Sequence, residues 1–241
     1  MIGLGTIINV VSIVVGGIAG VFAGKLMNER LRDTLLKACG VSVIFIAVAG
    51  VMEGMLSVEG TTVVSGRSML VVACIVLGAF VGELINFERA FERFGEWLKV
   101  KTGNAKDGGF VNGFVTASLT VCIGAMAVVG SIQDGIFGDY STLATKAVLD
   151  LIIVMVMTCS MGKGCIFSAI PVGIFQGSVT ALARLVKPIM TDAALVNLSL
   201  IGSVLIFCVG LNIVWGKKIK VANFLPSIVF AVAVAFLPIN I

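Results

Sequence analysis

Four stretches of this chain, Met1 to Gly24, Phe110 to Gln133, Ala193 to Gly216 and Val221 to Ile241, contain no charged residue. Each is close to the roughly 20 apolar residues with which an α-helix crosses about 30 Å of hydrocarbon. The whole sequence has the same bias: 59% of residues are hydrophobic and 12% are charged, with a mean hydropathy of +1.14. Soluble domains carry about a quarter charged residues. The fold class that follows is all-α, a polytopic integral membrane helical bundle. The longest polar stretch, Asn86 to Gly109, is too short to fold alone. Residues 1–241 are therefore read as one transmembrane domain.

The apolar blocks predict about eight helices, near 2–24, 38–56, 67–85, 110–131, 146–161, 164–186, 193–215 and 221–240. The fifth is short for a span, and Gly162-Lys163-Gly164 separates it from the sixth. One long broken element over 146–186 would reduce the count to seven. The basic residues set the orientation. Odd-numbered loops hold Lys25, Arg30, Arg32, Lys37, Arg89, Arg93, Lys99, Lys101, Lys106, Lys163, Lys217, Lys218 and Lys220. Even-numbered loops hold only Arg67, Lys146, Arg184 and Lys187. Basic residues are retained on the cytoplasmic side, so the odd loops face the cytoplasm and both termini face outside. In Asn86 to Lys99, Phe87, Ala90, Phe91, Phe94 and Leu98 recur at helical spacing opposite Glu88, Arg89, Glu92, Arg93 and Glu96. This predicts a helix lying in the headgroup plane with its phenylalanines down. Lys25 to Lys37 reads as a shorter version of it.

Several kinds of chemistry are excluded or disfavoured. A net charge of +4 with this distribution reflects loop lysines and arginines, not nucleic-acid binding. No histidine is present, which removes the commonest neutral-pH acid/base and the HExxH zinc site. The six cysteines form no CxxC pair and sit in apolar surroundings, as buried free thiols do. Gly162-Lys163-Gly164 lacks the GxxxxGK[ST] context of a phosphate loop. No nucleophile–base arrangement is visible, so the chain is not read as an enzyme, and no cofactor is implied. The first apolar run is read as a retained span, not a cleaved signal.

Small residues four apart (Gly16, Gly20, Gly24; Gly78, Gly82; Gly173, Gly177) mark helix faces for close packing, within the bundle or in a homo-oligomer. Val10 to Gly17 resembles Val71 to Gly78, which suggests parallel repeat units over 1–66 and 67–145 followed by 146–241.

The polar residues inside apolar runs are the candidates for function. Asp150 lies one helical turn after Lys146, where the two can pair. A carboxylate at that depth must pair, face a cavity or be protonated. It is read either as a structural ion-pair partner or as a cation or proton site. Gln176 lies five residues after Pro171, which is expected to kink the sixth span and free a carbonyl near Phe167. Asn9, Ser12 and Asn197 fall in the outer halves of their spans and could complete one polar layer, with Asn212 nearer the cytoplasm. Glu53, Asp134 and Asp139 are expected in solvated outer loops.

The strings Gly5-Thr6-Ile7-Ile8-Asn9, Gly124-Ala125-Met126, Gly130-Ser131-Ile132-Gln133-Asp134-Gly135 and Lys146-Ala147-Val148-Leu149-Asp150 are distinctive. So are Phe167-Ser168-Ala169-Ile170-Pro171, Phe175-Gln176-Gly177 and Val221-Ala222-Asn223-Phe224-Leu225-Pro226. Through them the chain resembles, over nearly its full length, the bacterial membrane family called domain of unknown function 554, or YdfK-like. The resemblance implies a bacterial membrane protein of a family usually labelled membrane or transport. It also places Asn9, Asp134, Lys146, Asp150 and Gln176 within the family's motifs. The resulting expectation is an ATP-independent transporter or channel for a small solute or cation in the bacterial inner membrane. Its binding residues would be Asn9, Lys146, Asp150, Gln176 and Asn197. The alternative is a non-transporting membrane scaffold or sensor that binds a partner protein.

Overall fold

The computed structural model describes residues 1–122 and 125–236. Helix α1 (Leu4–Leu26) opens the bundle and α2 (Glu29–Met55) follows after a two-residue turn. The Asn28 side chain accepts from Leu31 N–H at 2.8 Å and starts α2 at Glu29. An Asp33–Lys37 ion pair at 2.6 Å supports its first turns. Lys25 to Lys37 is therefore not a separate surface segment, because most of it is the beginning of one 27-residue helix. A short antiparallel hairpin, β1 (Leu56–Glu59) and β2 (Thr62–Ser65), pairs Leu56 with Ser65 and leads into α3 (Ser68–Ile85).

Asn86, at φ 59°, ends α3 and turns the chain sharply into α4 (Phe87–Lys101), the expected amphipathic helix. Its side chain caps α4 by accepting from Arg89 N–H at 3.2 Å. The expected fourth span is broken. Helices α5 (Phe110–Cys122) and α6 (Ala125–Phe137) meet at a 62° bend. The fifth is longer than expected: α7 runs Ser141–Met161, started by the Asp139 carboxylate accepting from Ser141 N–H at 3.0 Å.

Gly162, at φ 92°, ends α7, and a 3-10 segment over Lys163–Ser168 precedes α8 (Ala169–Ala181). The expected break is present, but the expected Pro171 kink is not. Pro171 is the third residue of α8, where its missing N–H costs the helix no internal bond. The short α9 (Ala183–Val186) follows, then α10 (Asp192–Trp215), capped by Thr191. Gly216, at φ 81°, leads to a second 3-10 segment, Val221–Phe224, and α11 (Pro226–Val234). The expected end of the eighth span, 237–240, lies outside the described residues.

Among the described residues, six helical segments are long and apolar enough to cross a membrane, and the bent α5–α6 pair makes a seventh. The last apolar helix, Val221–Val234, is shorter. Glycine ridges hold the long helices together. Gly16, Gly20 and Gly24 of α1 lie against the α7 backbone at Leu151, Met155 and Cys159. Gly40 of α2 faces Ile213 of α10, while Gly210 of α10 faces Ile44. Gly78 and Gly82 of α3 lie against Ser227 and Asn223. The core between them is built on Ile13, Phe110, Phe114, Met157, Val172 and Leu205.

The odd loops gather at one end of the bundle. Ser160 Oγ donates to Arg32 O at 2.9 Å, and Lys220 pairs with Glu83 at 2.8 Å. Gly164 packs on the Phe110 backbone at the same end. The N-terminus, Asp134 and Thr180 meet at the opposite end.

Candidate functional site

The N-terminal half of α1 brings Thr6 and Asn9 against α7 and α8, because the glycine ridge further along α1 draws these helices together. Asn9 and Gln176 are fully buried, and Asn9 Nδ2 donates to Gln176 Oε1 at 3.2 Å. Beside them Lys146 Nζ binds both carboxylate oxygens of Asp150, at 2.7 and 2.6 Å, with only 7% and 3% of the two residues exposed. Asn9 also interacts with the Asp150 carboxylate, which joins the two pairs into one layer. Cys122, the last residue of α5 before the bend, lies within electrostatic reach of Lys146 and Asp150. The layer thus combines one carboxylate, one ammonium and two amides from α1, α7 and α8, next to an interrupted helix.

The layer's hydrogen bonding is incomplete. Asn9 Oδ1 and Gln176 Nε2 are buried without a hydrogen-bond partner among the described residues. A buried polar atom left unpaired costs about 1–3 kcal/mol, so an acceptor and a donor left over at one depth suit a small polar guest. The Lys146–Asp150 pair has a comparable asymmetry. Removing either charge alone strands the other in a low-dielectric interior.

The expected layer comprises Asn9, Ser12, Asp150, Gln176 and Asn197, with Lys146 paired to Asp150; the structure brings Asn9, Lys146, Asp150 and Gln176 together. Asn197 lies apart from them. Its amide donates to Ala231 O at 3.2 Å and ties α10 to α11. Ser12 has no hydrogen bond to the layer. Asn212, at the odd-loop end, donates to Ile219 O at 2.7 Å and accepts from Lys218 and Ile219 N–H, which shapes the turn after α10.

Asp134 was expected in a solvated loop but is fully buried. Helix α6 continues through Phe137 and turns the carboxylate onto the start of α1. There it accepts from Gly3 and Gly5 N–H at 3.1 and 3.0 Å, countering the positive end of that helix. Thr6 and Thr180, whose hydroxyls lie 3.4 Å apart, sit one turn from the Asn9–Gln176 pair. They were not singled out from sequence, since threonine is common in apolar helices. Glu53 and Asp139 are exposed, as expected.

A second polar feature lies at the odd-loop end. A cavity of about 120 Å³ is lined by Glu88, Asn112, Thr116, Asn212 and Lys217 among apolar neighbours. Glu88 was expected on the solvent face of α4 but is buried, because the loop after α10 folds over it. Its carboxylate accepts from Ala222 N–H at 3.2 Å and pairs with Lys217 at 2.8 Å. Lys217 also bonds Glu92. Partial burial works against the Lys217 charge, but the hydrogen bonds to Glu88 and Glu92 outweigh it and raise its pKa above the ordinary lysine value. The sequence signal for this cavity is the spacing of Asn112, Thr116 and Thr120, which places all three on one face of α5.

The fold and this buried polar layer define a polytopic helical membrane protein with ionisable groups in its interior. The chain belongs to the family described as "Protein of unknown function (DUF554)", whose model matches residues 4–236. It is similar to the "Uncharacterized membrane protein YdfK" of Bacillus subtilis (strain 168), 26% identical over 232 residues, covering 96% of this chain and 95% of that protein. It is also similar to the "Uncharacterized protein YqgA" of Escherichia coli (strain K12), 24% identical over 232 residues, covering 95% and 94%. No solved structure matches the chain.

Proposed function

We propose that this protein is an ATP-independent transporter or channel for a small solute or ion, a cation fitting the site best. The observation that carries this reading is the buried Lys146–Asp150 pair held against Asn9 and Gln176, whose amides keep an unpartnered oxygen and nitrogen. Ionisable groups within spans mark ion and substrate pathways. Broken helices beside a buried site recur in transporters, and α5 and α6 lie at 62° to one another beside the layer. Asp150 supplies the charge, Asn9 Oδ1 a neutral oxygen ligand, and Gln176 holds Asn9 in orientation. Lys146 holds the carboxylate until a cation competes for it.

Neither the cavity over Glu88 nor the apolar groove described below is lined by Asp150 or Gln176. The reading is therefore of an occluded conformation, in which access requires a rearrangement of the helices around the layer. Asn112 and Thr116 of α5 line the odd-loop cavity, and Thr120 lies one turn further along the same helix face. The basic residues gathered at the odd-loop end support an orientation with that end in the cytoplasm and both termini outside, in the bacterial inner membrane. The ridges of α1 and α3 are used inside the chain. Only Gly177 of the α8 ridge faces open space among the described residues, so a self-association contact through glycines belongs on α8.

The closed packing of the layer favours a second reading, a membrane scaffold in which the same pairs fasten α1, α7 and α8. Flux into proteoliposomes, measured against a panel of monovalent and divalent cations, amino acids and polyamines, separates the two. Protein-dependent flux of one class above empty vesicles supports transport. No flux of any class from a folded, monodisperse preparation overturns it in favour of the scaffold.

A further inference from the structure

Beside the polar layer, the flank between α4, α8 and α11 is cut by an open apolar groove of about 710 Å³. Phe87, Phe91 and Phe94 of α4 line its odd-loop end. Phe175 of α8, Leu182 just beyond its end and Ile228 of α11 continue it along the membrane-spanning part of the molecule, and Cys122, the last residue of α5, lies in its wall. The only hydroxyl in the lining, Ser178 Oγ, already donates to Ile174 O at 2.5 Å. Among the described residues the wall therefore offers carbon surface, the Cys122 thiol and no unpaired hydroxyl, amide or charge, which suits hydrocarbon and not a polar solute.

No basic residue lines the groove itself, but α4, whose phenylalanines line it, carries basic residues on its exposed face. Helix α4 lies where an amphipathic helix meets the headgroups, phenylalanines toward the groove. Of its carboxylates, Glu88 and Glu92 share one lysine, Lys217, which offsets one of their two charges. Arg89, Arg93, Lys99 and Lys101 have no carboxylate partner among the described residues, against one unpaired Glu96. A second copy packed in parallel would set two such basic rims against each other, whereas an anionic headgroup complements one. We propose that this groove is a binding site for the acyl chains of an anionic phospholipid from the leaflet that holds α4, with the headgroup held at the α4 end by Arg89 and Arg93.

Native mass spectrometry of the purified chain, titrated with phosphatidylglycerol and with phosphatidylcholine of the same acyl chains, tests this. The expected result is phosphatidylglycerol retained through delipidation with about thirtyfold preference over phosphatidylcholine, the scale set by two basic side chains near an anionic surface. Arg89→Gln with Arg93→Gln should reduce that preference to about twofold or less. Ser178→Phe, which fills the groove, should remove retained lipid of both kinds, and the milder Ser178→Leu should weaken both if the larger variant does not fold. Equal binding of the two lipids, or binding that neither groove variant changes, overturns the proposal. So does a dimer that Ser178→Leu dissociates without altering bound lipid, which would assign the groove to a second copy.

Discussion

Two hairpins of this molecule share one plan and differ in what they do with their polar side chains. In the first, α7 ends at Gly162, passes through the 3-10 segment Lys163–Ser168 and returns as α8. In the second, α10 ends at Gly216, passes through Val221–Phe224 and returns as α11. Both glycines adopt positive φ, and a glycine ridge packs on each hairpin, that of α1 on the first and that of α3 on the second. The second hairpin's amides join chain segments, although its Ser227 hydroxyl is buried without a partner among the described residues. Asn223 accepts from Glu88 N–H at 2.7 Å and donates to Glu83 at 2.6 Å, while Asn197 and Asn212 bond backbone carbonyls. The first hairpin instead buries a charge pair and, through Gln176 with Asn9 of α1, an amide pair with an acceptor and a donor left over. An asparagine satisfied by backbone is a fastener. A buried polar group with capacity to spare is where a ligand can be bound.

The largest effect separating the hairpins should come from Lys146→Met. It leaves the Asp150 carboxylate buried and unpaired, at a cost of about 3–5 kcal/mol. Pairing it with Asp150→Leu should recover most of that loss in thermal unfolding in detergent. A double variant as unstable as the single would mean that packing, not charge, governs the site. A smaller contrast is expected from Asn9→Leu with Gln176→Leu. Replacing both members of an imperfectly satisfied pair should change stability by less than about 1 kcal/mol, whereas Asn197→Ala, which frees a buried carbonyl, should cost about 1–3 kcal/mol. Unfolding midpoints for the two variants in one detergent decide this, and the reverse order would erase the distinction between site and fastener.

The smallest effect concerns the odd-loop end. The Lys217 pKa is raised above its ordinary 10.5, so its pairing with Glu88 and Glu92 stabilises the fold fully below that pH and is lost as pH rises through the raised value. Lys217→Gln should therefore lower the melting temperature at neutral pH. The difference from the unmodified protein should shrink only above about pH 10.5. A difference that vanishes already near pH 8 would show that Lys217 is not held by these carboxylates.

Much of this architecture was legible because a bilayer imposes two simple requirements on sequence: long apolar runs and internally satisfied backbone. The spans, the amphipathic α4 and the break at Gly162 all follow from these. Local signals misled where tertiary contacts override them. Pro171 reads as a kink in isolation, but a preceding 3-10 turn shifts the helix start to Ala169, where a proline is harmless. Asp134 reads as a loop carboxylate, yet it is buried because the start of α1, far away in sequence, supplies two N–H groups. Glu88 reads as solvated until the loop after α10 covers it with Lys217. The i,i+4 spacing of Lys146 and Asp150 exposed their pairing directly, whereas the Asn9–Gln176 contact spans 167 positions and has no local signature.

The most direct test compares Asp150→Asn with Asn197→Ala in proteoliposomes, after a transported cation has been found for the unmodified protein. If the first hairpin holds the transport site, Asp150→Asn abolishes cation-dependent flux while remaining extractable and monodisperse, and Asn197→Ala retains flux in proportion to the folded protein present. Flux that persists with Asp150→Asn, or a variant that aggregates and recovers activity when its fold is rescued, would make Asp150 a structural partner of Lys146 and contradict the assignment.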